Sequence, residues 1–196
     1  MKILDTHPDA LRWDQRYADK NDAGNACRAL SENLHLLPHT GQALDLACGL
    51  GANALLLAQQ GLDVQAWDIS AIALNKLQHT AQQQGLQIQC QQRNLRTQTA
   101  APHSFDVIVV SYFLEREIMP ALVEALRPDG LLYYQTFSRL RVDDSGPDNP
   151  QFRLAENELL QHFSGLKLRV YREDGLTGDP LQGLRNDVIY IGQKHT

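Results

Sequence analysis

The chain has 196 residues, of which 43% are apolar and 21% charged, a balance typical of a globular protein. Its length predicts one domain, residues 1–196, with a core of ordinary size. The net charge of −5 argues against nucleic acid or an anionic membrane as the main partner, because both usually bind a basic surface. We therefore expect a small-molecule substrate, no nucleic acid or membrane partner, and a monomer or homodimer.

The N-terminus and the apolar runs predict a cytoplasmic protein. The apolar character of the first residues ends at Asp5, which is too early for a signal peptide. The longest uncharged apolar run in the second half of the chain, residues 107–114, is too short to span a bilayer.

Cysteine and histidine spacing predicts neither a disulfide framework nor a metal site. Cys27, Cys48 and Cys90 are odd in number and far apart, so we expect reduced thiols. His35 and His39 have helical spacing, but a proline between them breaks the helix that a shared ligand face would need.

The N-terminal part of the chain contains two predicted helices, over residues 10–19 and 25–36. Trp13, Arg16 and Tyr17 have the spacing of one helix face. One interpretation is that this face packs its aromatic rings on the core.

A strand, a tight turn and a helix are predicted next, over residues 43–61. Gly49 and Gly51 occupy the turn, and because glycine has no Cβ the turn can take positive φ while a ligand lies against bare backbone. The unpaired amides at the start of the helix then face that ligand. A second apolar run ends at Asp68, the usual position of a carboxylate that binds a ribose hydroxyl.

Asp45 separates two interpretations of this turn. The glycines alone also fit the dinucleotide fingerprint, which would indicate a nicotinamide cofactor. An acidic residue inside the first strand does not grip a pyrophosphate and would be costly if it were buried unpaired. It is explained if a hydrogen-bond donor lies beside the turn, either the ammonium of an amino acid or a backbone amide.

Residues 45–51 resemble the first motif of class I S-adenosylmethionine-dependent methyltransferases. In that family the glycine turn lies against the cofactor and the acid after the second strand holds its ribose. The Trp-x-x-x-Tyr segment resembles the lid of many small-molecule methyltransferases, which implies a helical cap over residues 1–40 and a cofactor-binding sheet over 41–196. The implied cofactor contacts are Trp13, Tyr17, Asp45, Ala47, Gly49, Gly51, Asn53, Asp68, Ile69, Asn94, Leu95 and Ser111.

Further strands and helices alternate along the rest of the chain. Ser70 is expected to cap a helix that stops at Gly85. Asn94 follows the third strand, and its amide can both donate to and accept from a base edge. The fourth strand, residues 105–110, is apolar throughout and ends at Ser111 and Tyr112, which the crevice rule for open α/β sheets places near the ligand.

The second half completes the predicted sheet. We expect a helix from Pro120, a turn over 128–130, a strand over 131–137, a mobile loop over 138–150, and a helix over 155–163. Strands over 166–171 and 187–192 have no helix between them, so the last one is antiparallel. The resemblance implies an α/β fold: a single Rossmann-like methyltransferase domain whose seven-stranded, mostly parallel sheet has the order 3-2-1-4-5-7-6, with helices on both faces.

Residues 135–137 and 149–159 look most like the tellurite-resistance methyltransferase group. That resemblance implies a soft oxyanion, such as tellurite or selenite, or a thiol as methyl acceptor. An anionic nucleophile needs no general base, so no catalytic residue is predicted. Because guanidinium groups suit oxyanions, four arginines join a tyrosine as candidate substrate contacts: Tyr112, Arg116, Arg139, Arg141 and Arg153. For each arginine taken separately, a solvated surface position is the favoured interpretation.

Three other functional classes stay open at this stage. A nicotinamide oxidoreductase would need a catalytic Tyr-x-x-x-Lys or His/Asp pair, which we do not find. A regulator that only senses S-adenosylmethionine would keep residues 43–68. A methyltransferase acting on a protein or RNA would need an additional recognition surface, for which an acidic chain of this length leaves little room.

Overall fold

The computed structural model describes residues 6–196 of the chain. The helices are α1 (Pro8–Ala18), α2 (Arg28–Ser31), α3 (Ala52–Gln59), α4 (Ala71–Gln83), α5 (Met119–Ala125) and α6 (Glu158–His162). The strands are β1 (Gln42–Leu46), β2 (Asp63–Asp68), β3 (Ile88–Gln92), β4 (Phe105–Ser111), β5 (Leu126–Phe137), β6 (Lys167–Arg172) and β7 (Asp187–Gln193).

The strands form one seven-stranded sheet in the order β3-β2-β1-β4-β5-β7-β6. The pairs from β3 to β5 are parallel, and β7 is antiparallel to both of its neighbours. This confirms the predicted strand order and the antiparallel last strand. Because the first five strands run the same way, their carboxyl ends meet at one edge, where ligands bind in open α/β sheets.

Helices cover both faces of the sheet. Successive residues of β1 point to opposite sides, so that Ala43 lies in one apolar cluster and Leu44 in the other. The first cluster contains Leu57 of α3 and Leu77 of α4, and the second contains Leu122 of α5. The sheet is therefore buried on both faces, as expected for parallel strands.

The helix predicted over residues 25–36 is wrong in extent. Only the four residues of α2 are α-helical, and Leu34–Leu36 form a short 3₁₀ turn. Cys27 is extended at φ −60° and ψ 148°, and its amide donates to Asn53 Oδ1 at 2.9 Å. The amide of Ala29 donates to Gln135 Oε1 at 2.8 Å. These contacts with the sheet edge override the local helical pattern.

The fifth strand begins earlier than predicted. Its bounds include residues 128–130, which we expected to form a separate turn. The pairing with β4 jumps from Phe105–Leu126 to Val107–Leu131, so the intervening residues bulge out, and Asp129 has φ 62°. The turn chemistry was recognised correctly, but it makes a bulge within the strand.

The segment predicted to be a mobile loop is tied down by Arg153. This side chain is only 2% exposed. Its guanidinium donates to the carbonyl oxygens of Pro147 at 2.7 Å, Ser138 at 2.9 Å and Ser145. Three backbone carbonyls on both sides of the loop are thereby held by one buried cation.

Arg116 fastens the start of α6 to the turn before α5. Its Nε and Nη2 donate to the two carboxylate oxygens of Glu158 at 2.5 and 3.2 Å, and its Nη1 donates to the Gln151 carbonyl at 2.7 Å. Burial acts to raise the pKa of Glu158, but hydrogen bonds from Arg116 and from the Ala155 amide, together with the Arg116 charge, outweigh it and hold this pKa below its ordinary value.

No helix within residues 6–196 is both long enough and apolar enough to cross a membrane. The prediction that the chain has no signal peptide depends on residues 1–5, which lie outside the described residues.

Replacing Glu158 with glutamine should lower the free energy of unfolding by about 1 to 2 kcal/mol at pH 7, because a charge-assisted pair in a half-buried setting becomes a neutral hydrogen bond. The folded-state pKa of Glu158 lies below its unfolded value, so this stabilisation is present above the unfolded pKa and is lost as the pH falls through the folded one. Denaturant unfolding of wild type and variant should therefore converge in acid. Exposed Glu156→Gln is the matched control; an equal loss in that variant would contradict the role of the pair.

Candidate functional site

Two glycines shape the turn between β1 and α3. Gly49 and Gly51 have φ of 53° and 81°, which L residues rarely adopt. A Cβ on Gly49 would lie 2.6 Å from the Tyr17 hydroxyl, and one on Gly51 would clash with Leu77. Ala47, just before them, also has positive φ at 57°. The turn therefore needs glycine both for its conformation and for the close approach of neighbouring groups.

Asp68, at the end of β2, holds this turn from the side. It is 6% exposed, and its Oδ2 accepts from the Gly49 amide at 2.8 Å while Oδ1 accepts from the Ser70 amide at 2.8 Å. Burial raises the pKa of this carboxyl, and the amide hydrogen bonds oppose the rise. A carboxylate has about four lone-pair directions, so these amides do not use its full capacity to accept hydrogen bonds.

Asp45, inside β1, lies beneath the turn and is fully buried. Its Oδ2 accepts from the Ala54 amide at 3.0 Å and its Oδ1 from Asn53 Nδ2 at 3.4 Å. Of the two donors that the sequence left open, the structure supplies the backbone amide. Burial raises the pKa of Asp45 to about 7. The carboxyl fastens the start of α3 to the strand before it.

Asn53 links the turn to the end of β4. Its Nδ2 donates to the Ser111 hydroxyl at 2.9 Å, and its Oδ1 accepts from the Cys27 amide. The predicted residues Asn53 and Ser111 are thus brought together at the carboxyl edge.

Helix α1 lies over the glycine turn and is fastened to α4 by polar contacts. Asp14 Oδ1 accepts from the Ser70 hydroxyl at 2.5 Å and from the Ile72 amide at 3.1 Å. Lys76 Nζ donates to the carbonyls of Tyr17 and Ala18, at the end of α1, at 2.8 and 2.6 Å. The sequence did not predict these roles of Asp14 and Lys76, because neither charged residue shows which partner on the other helix it contacts.

These contacts orient the aromatic face of α1. Tyr17 points at Gly49, and Trp13 stacks on Tyr17 with ring centroids 5.7 Å apart. Burial, followed by the nearby charge of Asp68, raises the pKa of Tyr17, which keeps its phenol neutral.

The residues expected near a base lie beyond Asp68, at the ends of β2 and β3. The Ile69 carbonyl accepts from Gln92 Nε2 at 3.1 Å, and Leu95 is buried. Asn94 Nδ2 lies 3.4 Å from His7 Nε2, so the beginning of α1 reaches this end of the crevice as well.

On the other side of the crevice, beyond Ser111, lies a polar cluster that we call the Tyr112 cluster: Tyr112, Gln135 and Asp187. The Tyr112 hydroxyl donates to Asp187 Oδ2 at 2.8 Å, and Gln135 Nε2 contacts both groups at 2.9 and 2.8 Å. Tyr112 has φ 53° and is 48% exposed. The sequence pointed to Tyr112 but not to the roles of Gln135 and Asp187, because Asp187 begins a strand far along the chain.

The candidate arginines do not converge on this cluster. The guanidinium groups of Arg116 and Arg153 already donate to Glu158 and to backbone carbonyls, so their role as substrate contacts stays a prediction. Arg139 is exposed and its Nε donates to the Pro150 carbonyl at 3.3 Å. Arg141 lies 3.5 Å from Asp148.

The thiols near the site are neutral. Cys27 and Cys48 are buried, and burial raises the pKa of Cys27 to about 12 and that of Cys48 well above its ordinary value. In the described part of the chain, no group of three or more His, Cys, Asp or Glu side chains could hold a metal ion.

Solved structures share this architecture. TehB from Haemophilus influenzae aligns with a TM-score of 0.68 and 24% identity over 93% of this chain and 67% of its own. A TehB-like SAM-dependent methyltransferase from Corynebacterium glutamicum aligns with a TM-score of 0.65 and 18% identity over 95% of this chain and 98% of its own. Both similarities concern the fold.

Sequence relatives cover less of the chain. The candidate methyltransferase YqeM of Bacillus subtilis is 28% identical over 122 residues, which are 58% of this chain and 49% of that protein. The chain spans about half the length of the curated relatives that it matches. The family described as tellurite resistance protein TehB, in contrast, matches residues 11–179. The chain therefore belongs to the family described as tellurite resistance protein TehB.

Proposed function

We propose that this protein binds S-adenosylmethionine at the carboxyl ends of β1, β2 and β4 and transfers its methyl group to a small-molecule nucleophile. The observation that carries the proposal is the glycine turn held by Asp68. The carboxylate has unused lone pairs beside a turn whose two glycines have positive φ and carry no side chain. Such a site suits a ribose with a bulky substituent lying along bare backbone.

In this proposal, different residues bind different parts of the cofactor. Asp68 accepts hydrogen bonds from the ribose hydroxyls, and the base lies among Ile69, Asn94 and Leu95. The backbone of Ala47, Gly49 and Gly51 lies along the cofactor, with Asp45 and Asn53 holding the turn and Ser111 closing the far end. Trp13 and Tyr17 cover it from above. Residues 1–40 would then be a helical cap and residues 41–196 the cofactor-binding sheet of one domain.

The protein's task in such a reaction is alignment and exclusion of water. When bound, the cofactor supplies a methyl group on a positively charged sulfur, which is already activated for in-line displacement. The cap of α1, fastened through Asp14 and Lys76, shields that sulfur from solvent. Two acceptor classes come from the sequence: a soft oxyanion such as tellurite or selenite, which the family's description also favours, and a thiol.

Calorimetry with four ligands tests the proposal. We expect S-adenosylmethionine and S-adenosylhomocysteine to bind. NAD⁺ and NADPH should give no heat, because an acid at the position of Asp45 has no role in binding a pyrophosphate. Binding of NADPH without binding of S-adenosylmethionine would end the methyltransferase proposal. A regulator that only senses S-adenosylmethionine would bind it but would not convert it to S-adenosylhomocysteine with any acceptor, including protein or RNA.

Asp68→Asn should weaken S-adenosylhomocysteine binding by about 1.5 to 3 kcal/mol, the usual contribution of hydrogen bonds to a charged group. Asparagine preserves the volume of the side chain but carries no charge. Its NH₂ group would also face the Gly49 amide N–H, from which it cannot accept a hydrogen bond. The dissociation constant is measured together with the melting temperature, and Asp63→Asn on the exposed start of β2 is the control. An unchanged dissociation constant would show that Asp68 does not reach the ribose.

Tyr17→Ala should discriminate the charged cofactor from its neutral product. An aromatic face over a cation contributes about 0.5 to 2 kcal/mol, so the alanine variant should lose more affinity for S-adenosylmethionine than for S-adenosylhomocysteine. Tyr17→Phe keeps the ring and should show little of this difference. Equal losses for the two ligands in Tyr17→Ala would leave packing as the only role of the ring.

A further inference from the structure

The orientation of the Gln135 amide is fixed by the backbone. Gln135 is 1% exposed, and the amide of Ala29 donates to its Oε1 at 2.8 Å. A backbone N–H can only donate, so the atom facing Ala29 must be the oxygen. The NH₂ group of Gln135 therefore faces Tyr112 and Asp187.

Every hydrogen in the Tyr112 cluster is then used inside the cluster. The two hydrogens of Gln135 Nε2 go to the Tyr112 oxygen at 2.9 Å and to Asp187 Oδ2 at 2.8 Å. Because the Tyr112 oxygen accepts from Gln135, its own hydrogen points to Asp187 Oδ2, 2.8 Å away. Within residues 6–196 no hydrogen bond reaches the other oxygen, Asp187 Oδ1. The cluster thus offers lone pairs and negative charge to a ligand, and no hydrogen.

The position of the cluster puts it on the acceptor side of the crevice. Tyr112 follows Ser111, whose hydroxyl is bound by Asn53 at the start of the helix after the glycine turn. In the sheet order, Tyr112, directly after β4, and Asp187 on β7 lie on the opposite side of β1 from Asp68 on β2. A cofactor whose ribose sits at Asp68 therefore directs its other end toward the exposed ring of Tyr112.

Two arginines near the Tyr112 cluster do not turn it into a hydrogen-bond donor. Arg28 donates through Nε to Glu32 at 2.6 Å, and the guanidinium of Arg153 donates to backbone carbonyls. Burial raises the pKa of Asp187, while the charges of Arg28 and Arg153 oppose that rise and favour the ionised carboxylate. Within residues 6–196, no hydrogen bond joins either guanidinium to Tyr112 or Asp187, so an oxyanion at this position would face the lone pairs of those two side chains.

We propose that the methyl acceptor carries a hydrogen on its nucleophilic atom, as an amine, thiol or hydroxyl does, and that Asp187 receives this hydrogen bond with Tyr112 beside it. The inference rests on the proposed methyl-transfer function and narrows it. Of the two acceptor classes drawn from the sequence, it retains the thiol and excludes the oxyanion, whose attacking atom bears no hydrogen.

The proposed step balances with the groups present. The electron pair of the acceptor atom forms the bond to the methyl carbon, and the electron pair of the broken carbon–sulfur bond stays on sulfur and neutralises it. The proton leaving the acceptor atom passes to Asp187 Oδ1. The Asp187 carboxyl then releases that proton to solvent, and no oxidant, reductant or further reactant is needed.

The test compares acceptor classes at saturating S-adenosylmethionine. Formation of S-adenosylhomocysteine is measured with tellurite, selenite, 2-mercaptoethanol and propylamine for wild type, Asp187→Asn and the control Asp148→Asn on the exposed neighbouring loop. We expect wild type to prefer the thiol or the amine over both oxyanions. Asp187→Asn should lower kcat/KM for the preferred acceptor about 100-fold, the usual effect of removing a general base. Its affinity for S-adenosylhomocysteine should not change, and Asp148→Asn should behave as wild type.

Preference for tellurite or selenite, or an Asp187→Asn variant whose kcat/KM is unchanged or raised, would overturn this inference and leave the methyl-transfer proposal intact. Failure of wild type to bind S-adenosylhomocysteine would overturn the methyl-transfer proposal itself. Binding without consumption of S-adenosylmethionine by any of the four acceptors would contradict both.

Discussion

Two buried carboxylates, those of Asp45 and Asp68, hold the glycine turn on which the rest of the site depends. Each accepts a hydrogen bond from a backbone amide of the turn or of the helix after it, at 2.8 to 3.0 Å. Buried carboxylates are costly unless they are hydrogen-bonded, and helix starts carry amides without intrahelical partners. Here the carboxylates supply the acceptors that the amides need, and the amides supply the donors that the buried carboxylates need. These hydrogen bonds fix the backbone at Gly49 and place it against Tyr17.

From this turn the carboxyl edge divides into two halves of different chemistry. The half at β2 and β3 combines bare backbone, the Asp68 carboxylate and the cap of α1, and it suits a nucleoside. The half at β4, β5 and β7 carries the Tyr112 cluster, whose hydrogens are all committed internally. The Asn53 side chain, which contacts Ser111 and the segment before α2, joins the two halves. We therefore expect the methyl donor and its acceptor to bind on opposite sides of the Asn53 side chain.

The sequence predicted what depends on local pattern. The strand order followed from the resemblance alone, whereas the apolar runs predicted the alternation of strands and helices. The cap of Ser70 on Ala73 followed from the helix start signal. The sequence could not show contacts that depend on distant partners. Arginine is a residue type that suits anions, but the pattern around Arg116 and Arg153 does not reveal that their guanidinium groups bind partners up to 42 residues away. Asp187 gave no signal, because its partners are distant in sequence: Tyr112 directly follows β4 and Gln135 lies on β5.

The structure of the complex with S-adenosylhomocysteine tests the central claim most directly, since it shows which half of the edge holds which part of the ligand. The account predicts ribose hydroxyls within hydrogen-bond distance of the Asp68 carboxylate, the base beside Asn94 and Leu95, and the sulfur turned toward Tyr112 and Asp187. A ribose bound away from Asp68, or a sulfur directed away from the Tyr112 cluster, would contradict it.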